Sequence, residues 1–279
     1  MTSDAIELTA FGPEHLEGAV LLSRQAGWPH RMDDWQTALA LSTGLAAVSG
    51  RGNRVVGTAL MTPYRDDSAT INMVIVEEAS RGRGLGRKLM DAALALAGNR
   101  ALRLVATDDG VPLYERLGFE KAGAIAQHQG FVRSVAVPAS VRPARPADIA
   151  DIVELDRIAY GADRANLMSQ IATIGSFAAL DRAGGLAGFS ALRPFGRGEV
   201  IGPVVARDAD DARALIAHFL APRAGTFVRL DTDAATGLGP WLAEQGLDHA
   251  GGGIAMHRPG RAASVAGFTT FALANQALG

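Results

Sequence analysis

Two stretches of this chain align with each other without a gap, and this repeat constrains the fold more than any other feature. Residues 44–64 match residues 175–195, and the alignment pairs Gly57 with Gly188. Helix and strand patterns recur in the same order around both stretches, as expected for an internal duplication. The chain is therefore predicted to contain two similar units.

The repeat divides the 279 residues at a Pro-rich linker over residues 138–146. The predicted first domain is 1–137 and the second is 138–279, which agrees with a usual length of about 100–200 residues per domain. Strand patterns alternate with helix patterns, which predicts two tandem domains of the α/β class, with an α+β type of mixed sheet. In the first domain we expect strands at 6–10, 45–48, 55–61, 71–76, 102–106 and 131–137, a hairpin turn at 50–53, and helices at 13–25, 31–41, 85–97 and 113–117.

The composition excludes several classes of function. Hydrophobic residues make up 48% of the chain and charged residues 20%, which suits packed cores rather than disorder. A net charge of −2 creates no basic field for nucleic acid or an anionic membrane. Cys is absent, so disulfides, thiolate metal sites and a catalytic thiol are excluded. With no signal-peptide pattern, no membrane-spanning run and no metal-ligand spacing of His, we expect a cytoplasmic protein without a metal.

A Gly-rich turn between a strand and a helix carries the first indication of chemistry. The segment reads VEEASRGRGLGRKL and starts at Val76. Backbone N–H groups of such a turn point into one concavity, which is a natural seat for a phosphate or pyrophosphate. Gly84 and Gly86 would let the backbone approach the anion, since they carry no side chain. Three arginines add positive charge: Arg81, Arg83 and Arg87.

Two other phosphate-binding loops are excluded by the same segment. A dinucleotide fingerprint that starts at Gly82 would need Gly at the position of Arg87. A P-loop that starts at the same glycine fails at Arg87 and again at Leu89. The pattern present is R-x-x-G-x-G, from Arg81 to Gly86.

This pattern resembles the signature [QR]-x-x-G-x-[GA] of the GNAT superfamily of acetyl-CoA-dependent acyltransferases. A later segment, LYERLGF from Leu113, is similar to the Y-x-x-x-G-F segment that follows the next strand in that family. The resemblance covers residues 6 to about 137, and the second domain shares it only through the duplication. The tandem layout and the segment WPHRMDDW from Trp28 also resemble a bacterial subgroup of two-domain GNAT proteins.

The resemblance implies that acetyl-CoA is the co-substrate. The main chain of Val74, Ile75 and Val76 would bind it, with the N–H of Val76 facing the thioester carbonyl. A backbone donor aimed at a developing oxyanion contributes about 2.7–4 kcal/mol. Tyr114 would donate a proton to the departing thiolate, and Thr107 stands where the family often has an Asn that contacts the cofactor. The pyrophosphate would be held by Arg81, Gly82, Arg83, Gly84, Leu85, Gly86 and Arg87.

The acceptor site and the general base are less sharply defined. The predicted acceptor-binding residues are Trp28, Asp33, Asp34 and Trp35, an acidic and aromatic wall that suits an amine. Asp33 and Asp34 fit equally well as the capping and first-turn acids of an ordinary helix. Glu77, at the end of the strand, is taken as the catalytic carboxylate. Alternatives are Glu78, Asp33, Asp34, Asp108 and water alone.

The second copy of the Gly-rich turn is shortened. The interval from Val76 to Leu89 is 13 positions, whereas the interval from the matching Val205 to Leu215 is 10, so three residues are missing. Carboxylates replace the glycines, and negative charge there opposes phosphate binding. The carboxylates are those of Asp208, Asp210 and Asp211.

Together these features predict acetyl transfer in the first domain, from acetyl-CoA to a primary amine of a small molecule, by direct attack on the thioester. The second domain, which has Leu242 in the place of Tyr114, is predicted to be a degenerate GNAT-like domain that no longer binds acetyl-CoA. Two alternatives remain: a non-catalytic CoA-binding or effector-sensing protein, and an acetyltransferase acting on protein lysines or N-termini. Neither nucleic acid nor a membrane is expected as a partner.

Overall fold

The computed structural model describes residues 5–50, 54–183, 185–258 and 267–279. In the first half of the chain the strands are β1 (Ile6–Ala10), β2 (Thr43–Ser49), β3 (Arg54–Tyr64), β4 (Ser68–Val76), β5 (Ala101–Ala106) and β6 (Glu120–Phe131). The α-helices of this half are α1 (Leu16–Gln25), α2 (Met32–Leu41), α3 (Leu85–Ala97) and α4 (Val111–Arg116).

The second half repeats the same order of elements. Its strands are β7 (Val141–Pro143), β8 (Ser176–Arg182), β9 (Gly185–Phe195), β10 (Gly198–Ala206), β11 (Phe227–Asp233), β12 (Asp248–Arg258) and β13 (Thr269–Ala272). Its helices are α5 (Ile149–Tyr160), α6 (Ala165–Ile174), α7 (Ala209–Leu220) and α8 (Gly239–Glu244). The first six of these strands correspond in order to β1–β6, and β13 has no counterpart among the described residues of the first half.

The strands of both halves form one continuous mixed sheet with two exchanged strands. Its order is β1-β2-β3-β4-β5-β12-β6-β11-β13-β10-β9-β8-β7. β12 pairs with β5, for example Ile254 with Ala106, and β6 pairs with β11, for example Gln129 with Arg229. Each half therefore donates its last matching strand to the sheet of the other half.

The helices cover both faces of the sheet because their apolar residues fall on one side. In α3 the buried residues recur at helical spacing, as with Leu85 and Leu89, and a left-handed Gly98 follows its last residue. This helix and α4 pack on one face of β2–β5, while α1 and α2 pack on the opposite face around Trp35. Leu89 lies against Gly57, where an added Cβ would be 2.9 Å from the leucine Cδ1.

Two sequence predictions of local structure are wrong. The last strand of the first half is β6, which ends at Phe131, whereas we expected it over 131–137. Apart from Ile125, residues 120–130 are polar or small and lack β-branched alternation, but strands on both sides pair with them, and this tertiary context decides the conformation. The linker at 138–146 contains the edge strand β7. The predicted hairpin turn at 50–53 lies mostly outside the described residues.

The neighbouring parallel strands β4 and β5 separate along their length. They pair over three residues, from Ser68 with Ala101 to Thr70 with Arg103, and then diverge. The matching strands β10 and β11 also pair briefly, at Glu199 and Val200. There, however, β13 lies between them and pairs with both. One of the two wedge-shaped openings in the sheet is therefore open and the other is filled by a strand.

Candidate functional site

A β-bulge in β4 shapes the open wedge. Thr58 of β3 pairs with Ile75 and Leu60 pairs with Asn72, so two residues of β4 face one residue of β3. Met73 in the bulge has φ of +49°, an unusual value for a residue other than glycine. The Thr58 Oγ1 donates to the Met73 carbonyl at 2.7 Å and holds the bulge in place. Strained backbone of this kind is typical of functional sites.

After the bulge, backbone groups of β4 face the open wedge. The Glu77 N–H donates to the Val56 carbonyl of β3 at 2.9 Å. Because hydrogen-bonding directions alternate along an antiparallel pair, the N–H of Val76 points the other way, toward β5. The Val76 carbonyl accepts from the Arg81 Nε at 3.1 Å, which fixes the turn to the end of the strand.

The Gly-rich turn forms an open cradle at the start of α3. Gly82 and Gly84 have φ of +73° and +76°, and an added Cβ at either position would meet nothing within 4 Å. Gly84 precedes α3, no side chain caps this helix, and its first turn holds no acidic residue. Gly86 faces the wedge, since an added Cβ would lie 3.7 Å from the Val76 Cγ2 and 3.6 Å from the Leu113 Cδ2. Free amides and a helix N-terminus together suit an anion.

Tyr114 reaches the same opening from α4. Its ring packs against Phe119 at a centroid distance of 6.0 Å, and an added Cβ on Gly110 would lie 2.8 Å from the ring. Burial raises the pKa of the Tyr114 phenol to about 12, so the hydroxyl keeps its proton at neutral pH. The phenol can therefore act as a proton donor.

A cavity of about 330 Å³ joins this opening to residues from the second half of the chain. Val74, Thr107 and Tyr114 line one side, and Trp28 and His30 line another. The further walls come from β6, from the second half and from residues close to its end: Gln127, Gln129, Phe195, Arg197, Arg229, Asn275, Gln276 and Ala277. The exchange of β6 and β12 brings these distant segments together.

Two buried polar atoms at the cavity have no hydrogen-bond partner in the described part of the chain. The Asn72 Nδ2 donates to Thr62 Oγ1 at 2.8 Å, but its Oδ1 accepts no bond. The His30 Nδ1 is likewise unpartnered. Burial lowers the pKa of His30 to about 4, with neighbouring arginines adding to the effect, so the imidazole is neutral at pH 7. Such unpaired buried groups are rare and mark places where a ligand can complete the bonding.

Two arginines of the second half flank the Phe195 ring. The Arg193 and Arg229 guanidinium carbons lie 5.0 and 5.2 Å from its centroid. Arg229 forms a forked pair with the buried Asp231, through Nε and Nη2 at 2.9–3.1 Å. Gln276 also donates to Asp231, at 2.8 Å. This polar group forms the wall opposite β4.

The structure brings some predicted site residues to the cavity and leaves others away from it. Trp28 lines the cavity together with Val74, Thr107 and Tyr114, whereas Asp33 is exposed on α2. Trp35 is fully buried, and its Nε1 donates to Ser23 Oγ at 2.9 Å. Glu77 pairs with Arg54 and accepts from Ser80, and it does not line the cavity. Its side chain therefore faces β3.

Asp34 has a structural role at the start of α2. Its carboxylate accepts from the backbone N–H of Arg31 at 2.8 Å and from that of Gly196 at 3.0 Å, and it pairs with the Arg31 guanidinium. Burial opposes ionisation, but these hydrogen bonds lower the pKa of Asp34 overall. Asp34 thus ties α2 to the turn between β9 and β10. These contacts fit the interpretation of Asp34 as a helix-capping residue. Asp34 is not among the residues that line the cavity.

The second half shows where the duplicated turn differs. An added Cβ on Gly188 would lie 3.0 Å from Leu215 Cδ1 and 2.8 Å from the Val205 carbonyl oxygen. The equivalent atom on Gly57 meets Leu89 and the Ile75 carbonyl, so Val205 corresponds to Ile75, and Ala206 corresponds to Val76. Our alignment was therefore wrong by one residue, because the turn between β9 and β10, residues 196–197, is only one residue shorter than the turn between β3 and β4, residues 65–67. The interval in the second half is therefore four residues shorter than that in the first, since Ala206 to Leu215 spans 9 positions and Val76 to Leu89 spans 13.

The other predicted differences of the second half are present. The Asp208 carboxylate caps α7 and accepts from the Asp211 N–H at 2.9 Å, so the helix start is already satisfied by the chain itself. Leu242 takes the place of Tyr114, and Leu247 N–H donates to its carbonyl as Phe119 N–H does to that of Tyr114.

In the described segments no group of His, Asp or Glu side chains could hold a metal ion, and no helix could span a membrane.

Comparisons with known proteins agree with this architecture. Two family models described as "Acetyltransferase (GNAT) domain" match residues 43–121 and 152–267. An N-acetyltransferase of Bacillus subtilis (strain 168), the uncharacterized protein YitH, is 30% identical over 253 residues, which cover 86% of this chain and 87% of that one. A putative acetyltransferase from Pyrococcus horikoshii superposes with a TM-score of 0.83, at 16% identity, over 100% of this chain and 98% of the other.

A tandem GNAT protein from the clavulanic acid biosynthesis pathway also has a similar structure. Its TM-score is 0.60, at 17% identity, and the match covers 91% of this chain and 98% of that one. These relatives define the class of the protein as an acetyltransferase with two GNAT domains in one chain. The chain belongs to the GNAT acetyltransferase family, as the sequence motifs predicted, and the expected two-domain mixed α/β fold is confirmed.

Proposed function

We propose that this acetyltransferase moves the acetyl group of acetyl-CoA to a primary amine of a small molecule. The observation that carries the proposal is the open wedge between β4 and β5, where Val74, Thr107 and the buried phenol of Tyr114 line a cavity and the Val76 N–H and the Gly-rich turn follow at the end of the same strand. Acetyl-CoA supplies an activated thioester. In the proposed division of labour, residues 1–137 provide the reacting groups and residues 138–279 provide part of the acceptor wall.

The donor site fits an extended thiol ester with a pyrophosphate. Among the described strands, none pairs with the edge of β4 after Thr70 on the β5 side, so its amides can bind a chain laid along it. The cradle from Arg81 to Arg87 offers first-turn amides of α3 and positive charge to an anion. Thr107, at the end of β5, offers a hydroxyl on the opposite side of the opening.

The Val76 N–H and the Tyr114 hydroxyl have separate roles in the proposed reaction. The Val76 N–H donates a hydrogen bond to the carbonyl oxygen as negative charge develops on it. One such donor stabilises the transition state by about 2.7–4 kcal/mol. The Tyr114 hydroxyl donates its proton to the departing sulfur. Glu77 is held by Arg54 away from the cavity, so water takes the proton from the amine in place of this carboxylate.

The first experiment measures thiol release from acetyl-CoA with and without a panel of small primary amines. We expect release that depends on the amine and saturates with it. Binding of acetyl-CoA without amine-dependent release would instead favour the non-catalytic, effector-sensing alternative. Release that requires a lysine-containing peptide, with none from small amines, would favour acetylation of proteins.

The donor site is tested by Gly86→Glu, which directs a carboxylate into the opening beside Val76. Repulsion of the pyrophosphate should weaken acetyl-CoA binding at least ~100-fold, corresponding to about 2.8 kcal/mol, measured by calorimetry. The matched control is Leu96→Glu on the exposed face of the same helix, which should bind normally. Unchanged affinity in a folded Gly86→Glu protein would contradict the assignment.

A further inference from the structure

The wall of the cavity carries an unusual charge for an enzyme that acts on amines. Among the described residues that line it, none is Asp or Glu, whereas Arg197 and Arg229 are both present. An acceptor ammonium would normally be attracted by carboxylates. This inference rests on the proposed function, and it concerns which amine the cavity accepts.

The arginines behind the wall have few direct carboxylate partners. Arg193 and Arg229 flank Phe195, yet only one carboxylate, that of Asp231, pairs with either of them in the described contacts. Arg193 is 2% exposed, and its Nη2 donates to the Ala274 carbonyl at 3.1 Å, while its Nε has no partner. Burial lowers the pKa of Arg193 to about 10, and the guanidinium still carries its charge at pH 7. The buried Asp34 carboxylate acts on this guanidinium only through space, since its own hydrogen bonds come from Arg31 and Gly196.

The opposite wall offers hydrogen-bond acceptors. The unpartnered Oδ1 of Asn72 belongs to β4, next to the bulge that positions Val74 and Val76. An amine can donate to this oxygen while its lone pair faces the thioester carbon. Nearby, Gln127 and Gln129 are joined to each other at 2.9 Å and line the cavity between the two walls.

We propose that the acceptor is a small amine that also carries a carboxylate, as an amino acid does, with its amine at Asn72 and its carboxylate toward Arg229 and Arg197. A carboxylate supplies the negative charge that the described cavity lining lacks, and guanidinium groups recognise it through charge-assisted hydrogen bonds. Arg229 is already paired with Asp231, so of these two only Arg197 lacks a described carboxylate partner, which suits a charge of −1 better than a phosphate of about −1.5 to −2.

The same wall favours the reactive form of the amine. Nearby positive charge disfavours an ammonium and so increases the fraction of neutral amine. In the reaction the amine nitrogen forms a bond to the acetyl carbon, and the carbon–sulfur bond breaks. The nitrogen loses one proton to water, and the sulfur receives one from Tyr114. A simple amine without a carboxylate lacks the anchor and meets only repulsion.

The test compares amines that differ only in the anionic group. Amino acids are matched with their amides, and β-alanine with O-phosphoethanolamine, and kcat/KM is measured by thiol release. We expect the acids to exceed their amides by about 10- to 100-fold, the range of charge-assisted hydrogen bonds. Equal rates for acids and amides, or faster reaction of the phosphate compound, would overturn the proposal.

Variants assign the preference to the wall. Arg197→Gln, at an exposed position, should lower kcat/KM for the acids and, by removing repulsion, raise that for the amides, so that the ratio of the two falls. Arg229→Gln combined with Asp231→Asn removes both charges of the buried pair and should reduce the preference further. The control Arg157→Gln, on the exposed surface of α5, should behave as the unmodified protein does.

The outcomes separate this inference from the proposed function. If amines react but Arg197→Gln and the double variant keep the full preference for acids, the anchor assignment is overturned while acetyl transfer stands. If no amine promotes thiol release, the proposed function fails and this inference fails with it.

Discussion

The two wedge-shaped openings of the sheet arise from the same duplicated fold, but the first is open and the second is filled by a strand. Between β4 and β5 the strand edges are open, and eight residues lead from Val76 to the start of α3 at Leu85. Between β10 and β11 the strand β13 fills the opening, and two residues lead from Ala206 to the start of α7. The strands and helices around the two openings pack alike. Gly57 contacts Leu89 in the first half, and Gly188 contacts Leu215 in the same way in the second.

The starts of the two helices show how a small change decides binding. Gly84 leaves the amides of α3 open to a ligand, whereas Asp208 satisfies an amide of α7 with its own carboxylate. Negative charge and a side-chain cap at a helix start oppose the binding of a phosphate, so we expect weaker binding at α7 than at α3. Under the proposed function, the first copy of the duplicated fold holds the reacting groups and the second copy supplies part of the cavity wall.

The largest expected effect concerns the phenol that only the first wedge has. Tyr114→Phe should lower kcat by about 10²–10⁴-fold with little loss of acetyl-CoA affinity, because it removes a positioned acid. The matched control is Tyr160→Phe, which removes a buried hydroxyl from the second half. Wild-type turnover in Tyr114→Phe, where chemistry limits the rate, would return Tyr114 to a packing role.

The pH dependence follows from the raised pKa of Tyr114. A phenol with a pKa of about 12 stays protonated throughout the range from pH 6 to 10. The Tyr114 phenol loses its proton only as the pH rises through its pKa. We therefore expect no decrease in kcat from this group up to about pH 10. A decrease in kcat near pH 8–9 that disappears in Tyr114→Phe would contradict the assigned environment.

A third prediction compares the arginines that directly precede α2 and α6. Arg164 pairs with Asp156, both side chains at most 1% exposed, and Arg31 pairs with Asp34 while 36% exposed. Arg164→Met should lower the free energy of unfolding by about 3–5 kcal/mol, because it strands a buried carboxylate. Arg31→Met should cost only about 1–2 kcal/mol, since Asp34 keeps two backbone donors.

Urea unfolding of both variants measures this difference. The double variant Arg164→Met with Asp156→Asn should recover part of the loss, because no unpaired charge remains. Equal losses at the two positions would show that burial does not distinguish these two ion pairs.

The smallest effect is a factor of two in stoichiometry. We expect one acetyl-CoA per chain by calorimetry, although duplication alone would predict two. Ala272→Pro, which breaks the pairing of β13 with Val204 and Thr232, should leave the value at one, because the short turn and Asp208 still exclude a pyrophosphate. A value of two in either protein would show that the second wedge still accepts the ligand.

Local patterns predicted the elements and the donor motif, and they failed where distant segments meet. The alternation and capping signals around Leu85 placed α3, and the glycines at 82 and 84 do adopt left-handed conformations. Nothing local indicates that β6 pairs with β11, whose residues lie about a hundred positions away. The arginines of the acceptor wall belong to that strand and its neighbours, so their place in the cavity follows from pairing rather than from any motif.

The exchange of β6 and β12 has a consequence for synthesis of the chain on the ribosome. The edge of β5 receives its partner only when residue 258 has emerged, 152 residues after Ala106. At about 5–20 residues per second, the nascent sheet waits roughly 8–30 s with an unpaired edge. Unpaired edges invite pairing with other chains. During that interval the β5 edge is open to pairing with other chains, a hazard that the finished sheet no longer carries.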